Sequence, residues 1–272
     1  MFQPIDSHCH VQDPRFDADR DAVLDQALAC LSAVVVVGDT LENSERAVTL
    51  AARSRVRAVV GIHPYHASLV TNALIEQLRD LVARYPDRIV AIGETGLDYY
   101  NEFSPRSNQW KSFEKQARLA SELNLPLVIH NRQADADTLA LLREYRSGLP
   151  GVIMHCFGSG PAEAEAFAAL DCHVSFAGNL TYPRAQALRD AARRVPDHQL
   201  LVETDAPYLA PQPVRGRRCE PSHVIHTVNA LAVLRNEPVE TTADRVARNA
   251  MAVYRLDPGG LSISAAEGLP DA

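Results

Sequence analysis

The chain has 272 residues, a hydrophobic content of 46% and a formal net charge of −7 at pH 7. These values suit a globular protein with a full core, and no stretch approaches the roughly 20 consecutive apolar residues that a membrane span needs. The negative charge argues against a protein that coats nucleic acid, but it does not exclude an enzyme whose positive site is local.

The number and spacing of the cysteines indicate a reducing compartment. The five cysteines are odd in number, scattered and without a Cys-x-x-Cys pair, which argues against a disulfide framework. The first residues lack a basic segment followed by an apolar one, so no secretory signal is visible. We therefore expect a cytoplasmic protein, and nothing in the sequence indicates a membrane contact or an obligate protein partner.

Short runs rich in β-branched residues recur along the chain and predict eight strands. They are Phe2–Asp6, Ala33–Gly38, Arg57–Ile62, Ile89–Gly93, Leu127–Ile129, Val152–Met154, His173–Phe176 and Leu200–Glu203. Amphipathic segments between them predict helices, for example Asp19–Leu31, Ala73–Tyr85, Ser107–Leu123 and Ala162–Leu170. Most of the runs are continuously apolar, as expected for strands buried on both faces.

This alternation predicts an α/β fold, a (β/α)8 TIM barrel, as a single domain over residues 1–256. A doubly wound open sheet is the alternative, but it needs a glycine-rich turn after the first strand, where this chain has His-Cys-His. A last helix, about Thr242–Tyr254, begins with the start signal Thr-Thr-Ala-Asp. Residues 257–272 are small, polar and rich in glycine and proline, which predicts a disordered tail.

His8 and His10 follow the first predicted strand. Residues i and i+2 of an extended chain face the same side, so the two imidazoles point together while Cys9 faces away. An isolated His-x-His is more often a pair of ordinary histidines than a metal site. The other strands favour the metal site, because they also end in potential ligands: His63, Glu94, His130, His155 and Asp205. In a barrel all these ends converge on the face that carries active sites.

With His63 set aside, six candidate ligands remain, and six ligands with a bridging carboxylate suit two ions. We predict one ion on His8, His10, Glu94 and Asp205, and a second ion on Glu94, His130 and His155. Asp205 is the predicted general base that activates water, and Glu94 is the predicted bridge. The alternatives are that Glu94 caps the next helix and that Asp205 is a turn residue. Asp6 is predicted to orient one of the two histidines.

Substrate contacts are predicted on the same face. His63 either touches substrate or has a structural role at the Pro64 turn. Arg215 and Arg217 belong to a basic cluster after the eighth strand, where guanidinium groups can clamp phosphate oxygens. The alternative is a solvated loop. Arg132, which follows the fifth strand, is a weaker candidate for the same role.

Several motifs in order resemble the TatD family of metal-dependent deoxyribonucleases, part of the amidohydrolase-like TIM-barrel superfamily. They are Asp6-Ser7-His8-Cys9-His10, Gly61-Ile62-His63-Pro64, Gly93-Glu94-Thr95-Gly96-Leu97-Asp98-Tyr99-Tyr100, Leu127-Val128-Ile129-His130, His155-Cys156-Phe157-Gly158, Glu203-Thr204-Asp205-Ala206-Pro207 and Arg215-Gly216. The resemblance implies two divalent ions (Zn, Mg or Mn), DNA as the substrate and hydrolysis of its phosphodiester bonds. It also implies metal-ligand roles for the same six residues.

Three positions depart from the family pattern. Cys219 stands where asparagine is usual, Asn131 replaces the usual serine after His130, and Tyr65 replaces a second histidine. None of these changes removes a predicted ligand, so they affect the substrate contacts more than the chemistry.

Two other functions compete with a nuclease. The same binuclear site suits an amidohydrolase or esterase, such as a deacylase of misacylated tRNA. A non-catalytic metal-containing scaffold would need metal with no open position for water. Metal identity stays open, because mixed histidine and carboxylate ligands accept several ions.

Overall fold

The computed structural model describes residues 1–257, and its strands form one eight-stranded parallel sheet in the order β1 to β8. The strands are β1 (Ile5–Cys9), β2 (Ala33–Val37), β3 (Val56–Val60), β4 (Ile89–Asp98), β5 (Leu127–Arg132), β6 (Val152–Met154), β7 (His173–Phe176) and β8 (Leu200–Val202). The helices are α1 (Arg20–Cys30), α2 (Leu41–Leu50), α3 (Asn72–Arg84), α4 (Arg106–Glu122), α5 (Asp135–Tyr145), α6 (Pro161–Ala169), α7 (Gln186–Arg194), α8 (Val224–Arg235) and α9 (Val239–Tyr254). The predicted (β/α)8 TIM barrel is confirmed. A doubly wound sheet would reverse its strand order part-way.

Bonds between β1 and the segment after β8 bring the two ends of the sheet together. The backbone N–H of Asp205 donates to the carbonyl of His8 at 3.0 Å, and the N–H of His10 donates to the carbonyl of Ala206 at 2.7 Å. The barrel is therefore joined at the level of the predicted ligands, and residues distant in sequence are held side by side.

The apolar core has an outer layer between strands and helices and an inner layer inside the barrel. The inner layer contains Ile5, Val35, Val37, Val59, Ala91, Val128, Ile153 and Leu201. Because side chains alternate along a strand, the residue two positions beyond an inner one also points inward. His130 stands two residues beyond Val128, and His155 two beyond Ile153. The inner layer is thus the apolar floor beneath the candidate site.

Helix α9 covers the opposite end of the barrel. Tyr254 is 1% exposed, packs with the inner layer and donates its hydroxyl to the carbonyl of Ser7 at 2.9 Å. The predicted helix start at Thr242 is wrong, because α9 begins at Val239. The Thr242 hydroxyl instead donates to the Glu237 carboxylate at 2.6 Å.

The bounds of β1 and β4 differ from prediction. The first strand begins at Ile5, since the N–H of Phe2 donates to the Asp244 carboxylate instead of to a neighbouring strand. Strand β4 continues past Glu94 to Asp98, because its second half pairs with β5. The predicted tail lies outside the described residues apart from Asp257. In residues 1–257 no helix is long and apolar enough to cross a membrane.

Candidate metal centre

Glu94 reaches the barrel interior through an irregularity in β4. The pairing register between β4 and β5 shifts between Ile92 and Thr95, so Glu94 points inward although it stands three residues beyond Ala91. The preceding Gly93 has φ +140°, and a Cβ there would lie 2.5 Å from the carbonyl oxygen of Val128. Only glycine fits this backbone, which positions Glu94 over the floor of the barrel.

The two carboxylate oxygens of Glu94 face two different pairs of imidazoles. Oε2 lies 3.4 Å from His8 Nε2 and 3.6 Å from His10 Nε2. Oε1 lies 2.9 Å from His130 Nδ1 and 2.7 Å from His155 Nε2. One buried carboxylate is therefore shared by two pairs of potential ligands, as a bridge between two ions requires.

Electrostatics keep this carboxylate ionised. Burial raises the pKa of Glu94, but the charge of His155 and the hydrogen bonds from His130 and His155 outweigh it, so the pKa lies well below its usual range. Burial lowers the pKa of His155, but the carboxylates of Glu94 and Glu203 outweigh burial, and the pKa lies well above its ordinary value. A buried anion among imidazoles is thus stabilised by positive charge, which protons or a metal ion can supply.

Acceptors behind the rings set the orientation of the imidazoles. His10 Nδ1 lies 2.7 Å from the carbonyl oxygen of Val37, to which it donates. His130 Nε2 lies 3.2 Å from an Asp98 carboxylate oxygen. With one nitrogen donating backwards, the other nitrogen of each neutral ring is an acceptor directed into the site. This is the arrangement found behind metal-binding histidines in general.

The same arrangement holds His155, whose Nδ1 lies 3.1 Å from the Glu203 carboxylate. The forward nitrogens then converge: His8 Nε2 and His10 Nε2 are 3.2 Å apart, and His130 Nδ1 and His155 Nε2 are 3.3 Å apart. Two acceptor nitrogens at this distance repel each other unless a proton or a cation lies between them. Among the described residues His8 Nδ1 has no hydrogen-bond partner, so this argument applies directly to the His130 and His155 pair. The residues present therefore fit a pair of divalent ions.

Asp205 completes the set from the segment after β8. Its Oδ1 lies 3.5 Å from His10 Nε2. Burial raises the pKa of the Asp205 carboxyl, but the hydrogen bond and charge of His10 lower it below the ordinary value. Its backbone is in the left-handed region, with φ +55°. Asp205 is thus an ionised carboxylate within reach of the His8 and His10 pair.

His63 lies in the site with a different role. Its Nδ1 accepts the N–H of Tyr65 at 3.1 Å, so the neutral ring carries its proton on Nε2. That nitrogen lies 3.3 Å from Glu94 Oε1. Burial lowers the pKa of His63 to about 4. His63 is therefore a neutral hydrogen-bond donor, and it brings no acceptor nitrogen to a metal.

The site opens into a cavity of about 950 Å³. Arg132 lines this cavity and is exposed. Arg215 and Arg217 are not among the lining residues found in the described chain. The guanidinium of Arg215 instead lies 3.8 Å from the centre of the Tyr182 ring. The structure thus brings His63 and Arg132 to the site and leaves the basic cluster outside it.

Two orienting carboxylates, Asp98 and Glu203, were not predicted from the sequence as site residues. Side chains two positions apart on a strand point to the same face, and this rule could have indicated both residues. Glu203 precedes Asp205 by two positions, and Asp98 shares a strand with Glu94. Asp6 contacts His8 through the backbone: its carboxylate accepts from the His8 N–H at 3.4 Å and from the N–H and hydroxyl of Thr204 at 2.8 and 2.6 Å, so its orienting role stays a prediction. Asp6 therefore joins β1 to the segment after β8.

Residues 5–255 match the family model described as TatD related DNase. The chain belongs to this family. It is therefore a metal-dependent hydrolase, and the His, Glu and Asp clusters described above are candidate binding sites for divalent metal. The TatD fold and the resemblance seen in the sequence motifs are both confirmed.

Three TatD relatives illustrate the extent of the match. An uncharacterized metal-dependent hydrolase TatD from Mycobacterium tuberculosis is 41% identical over 263 residues, which cover 93% of this chain and 98% of that protein. A 3'-5' ssDNA/RNA exonuclease TatD from Pantoea vagans is 36% identical over 250 residues, with coverage of 89% and 95%. The crystal structure of YJJV, a TatD homolog from Escherichia coli, matches with a TM-score of 0.87 at 30% identity, with coverage of 93% and 98%.

Glu203→Gln is expected to weaken metal binding by about 10- to 100-fold, because the amide lacks the charge that orients His155. The measurement is titration of the metal-free protein with Mn²⁺ by calorimetry. Glu237→Gln is the matched control: it makes the same substitution at a carboxylate that bonds to Thr242 and Arg245, so it should lower thermal stability and leave metal affinity unchanged. Equal loss of affinity in both variants would contradict an orienting role for Glu203.

Proposed function

We propose that this TatD protein hydrolyses phosphodiester bonds of DNA with two divalent ions. The first ion is assigned to His8, His10, Glu94 and Asp205, and the second to Glu94, His130 and His155. The two-sided environment of Glu94 carries this proposal. Its Oε2 faces His8 and His10, while its Oε1 faces His130, His155 and the donor nitrogen of His63. The Pantoea vagans relative described as a single-stranded DNA and RNA exonuclease supports the choice of a nucleic-acid substrate.

When bound, two divalent ions lower the pKa of a coordinated water and withdraw charge from a phosphoryl group. The protein side chains supply the rest of the reaction. Asp205 is the general base, because its ionised carboxylate projects from the barrel end beside His10 and can accept the proton of the attacking water. Glu94 holds the two halves of the site at a fixed separation.

His63 is assigned to the phosphoryl oxygen. Its Nε2–H points into the site, and its neutrality lets it donate a hydrogen bond without competing for metal. Arg132 lies at the cavity wall, where a guanidinium group can pair with a neighbouring phosphate. Together they orient the scissile bond towards Asp205.

The direct test is cleavage of end-labelled DNA by purified protein with Mg²⁺, Mn²⁺ or Zn²⁺. We expect single-stranded DNA to be shortened with at least one of these ions. The same preparation is assayed on an aminoacyl ester of tRNA, which a deacylase would hydrolyse faster. Absence of DNA cleavage with all three ions, on single-stranded and duplex forms, would refute the proposed function.

Chelation is expected to abolish hydrolysis and to lower the melting temperature. An ion that binds only the folded protein stabilises it by about 2.7 kcal/mol at a concentration one hundred times its dissociation constant. Elemental analysis of the untreated protein should give about two ions per chain. Re-addition of the ion should restore both activity and melting temperature, and a chelated sample with full activity would contradict metal dependence.

A further inference from the structure

Large aromatic side chains remain exposed to solvent in the segments that follow β4 and β8. Tyr100, Phe103 and Tyr208 have exposed fractions of 58, 69 and 49%. Tyr208 lines the cavity itself, whereas Tyr100 and Phe103 lie in the segment after β4, next to the lining residues Arg132 and Tyr65. Rings left in water in this way are available to pack against a ligand.

The first aromatic surface lies in the segment between β4 and α4, and we call it the Tyr100 platform. The guanidinium of Arg132 lies 4.0 Å from the centre of the Tyr100 ring. Nearby, Phe103 packs edge-on against Tyr65 at 4.7 Å, and Tyr65 packs against His63 at 4.2 Å. A continuous series of rings thus leads from the metal centre to the solvent.

The second aromatic surface, the Tyr208 platform, follows β8. Tyr208 lines the cavity, and the guanidinium of Arg15 lies 4.3 Å from the centre of its ring. The opposite edge of Tyr208 faces His10 at a ring separation of 6.4 Å. This platform also joins a ring, an exposed arginine and a metal-centre histidine.

The two platforms lie on opposite sides of the cavity. In an eight-stranded barrel with sequential order, the segments after β4 and β8 are four strands apart and so face each other across the mouth. In each, a guanidinium covers one face of the tyrosine ring, and the other face is the one offered to a base. A phosphodiester seated between them at the metal centre would have one neighbouring group on each side.

We propose that Tyr100 and Tyr208 each stack one unpaired base on either side of the scissile phosphate, so that the enzyme binds a single strand. This inference rests on the proposed function for its choice of nucleic acid. Stacking on tyrosine needs a free base face, which a paired and stacked duplex does not present. Arg132 supplies positive charge for the phosphate next to the base on Tyr100, whereas the charge of Arg15 is already paired with Asp13 at 2.7 Å.

The test measures binding rather than cleavage, so that it is independent of the catalytic activity. Full-length protein is titrated into a fluorescent single-stranded oligonucleotide in Ca²⁺, and anisotropy gives the dissociation constant. Tyr100→Leu and Tyr208→Leu are each expected to weaken binding about tenfold, and tryptophan at either position should retain it. Tyr85→Leu is the control, because an arginine also lies over the Tyr85 ring, at 5.1 Å, but Tyr85 follows α3 and lies at the end of the barrel opposite the site face.

An oligonucleotide with abasic residues provides the complementary measurement. Removal of the bases should weaken binding to the unaltered protein by a similar factor, and Tyr100→Leu and Tyr208→Leu should then have no further effect. If the strand binds but is not cleaved, the proposed function fails and the stacking inference stands. Cleavage with unchanged affinity in both leucine variants, or affinity for duplex equal to that for a single strand, would overturn the stacking inference. Absence of binding by the unaltered protein would overturn it as well.

Discussion

Asp205→Asn is expected to lower kcat by about 10²- to 10⁴-fold, the usual contribution of a positioned general base. The amide has nearly the same shape as the carboxylate but cannot accept a proton from water. His8, His10 and Glu94 are still present, so the first ion should bind more weakly without being lost. The loss should therefore appear in kcat at saturating metal and substrate.

Asparagine is preferred to alanine here for a structural reason. Asp205 has φ +55°, a left-handed conformation that asparagine tolerates and alanine does not adopt without strain. Its N–H also donates to the carbonyl of His8, which joins β1 to the segment after β8. Rate measurements with Asp205→Asn at several Mn²⁺ concentrations separate weaker metal binding from loss of the general base. Full recovery of kcat at high Mn²⁺ would show that Asp205 only binds metal and is not the base.

Glu94→Gln is expected to have the second large effect, because it removes the bridge between the two ions. Glutamine offers one carbonyl oxygen where Glu94 offers two charged ones, so it cannot serve both imidazole pairs. We expect metal content to fall from about two ions per chain to one or fewer. The loss of metal assistance to the transition state, several kcal/mol, corresponds to a rate loss of about 10³-fold or more.

Elemental analysis and DNA cleavage on the same preparation are the measurements for Glu94→Gln. Glu163→Gln is a suitable control for metal content, since Glu163 is also a cavity-lining carboxylate but accepts from the N–H of Gly160 instead of facing an imidazole. The control should retain about two ions per chain. Normal metal content in Glu94→Gln would disprove the bridging assignment.

These two variants test different parts of one arrangement. Asp205 is placed by the backbone after β8, whereas Glu94 is placed by the register shift in β4. Loss of rate with metal retained in the first variant, and loss of metal in the second, would together support both assigned roles. The stacking variants Tyr100→Leu and Tyr208→Leu add a third, separable effect on affinity.

Much of the fold could be predicted because its signals are local. The buried strand β6 is a short apolar run, and the bounds of β6 and β7 agree with prediction. The first strand and β4 did not agree, because their limits depend on partners: Phe2 bonds to α9, and the second half of β4 pairs with β5. The sequence of one strand carries little information about a pairing partner that lies far away in the chain.

The six candidate ligands could be predicted from the sequence, because each follows an apolar strand and the strand ends share one face in a barrel. The orienting carboxylates Asp98 and Glu203 were missed, since only the folded structure shows which ring nitrogen each one faces. The same is true of Arg215, whose charge suggested a phosphate clamp but whose guanidinium packs on Tyr182.

The sequence by itself determined the fold class, the family and the set of candidate ligands, because these depend on periodicity and on residue types at strand ends. The sequence also predicted how the ligands divide, but only the tertiary structure decided which atoms face each other. The register shift beside Gly93 turns Glu94 so that Oε2 faces His8 and His10 and Oε1 faces His130 and His155. The tertiary structure likewise decided that His63 is a donor and that the exposed Tyr208 lines the cavity. Such directions follow from contacts between segments far apart in the chain, which residue order alone does not specify.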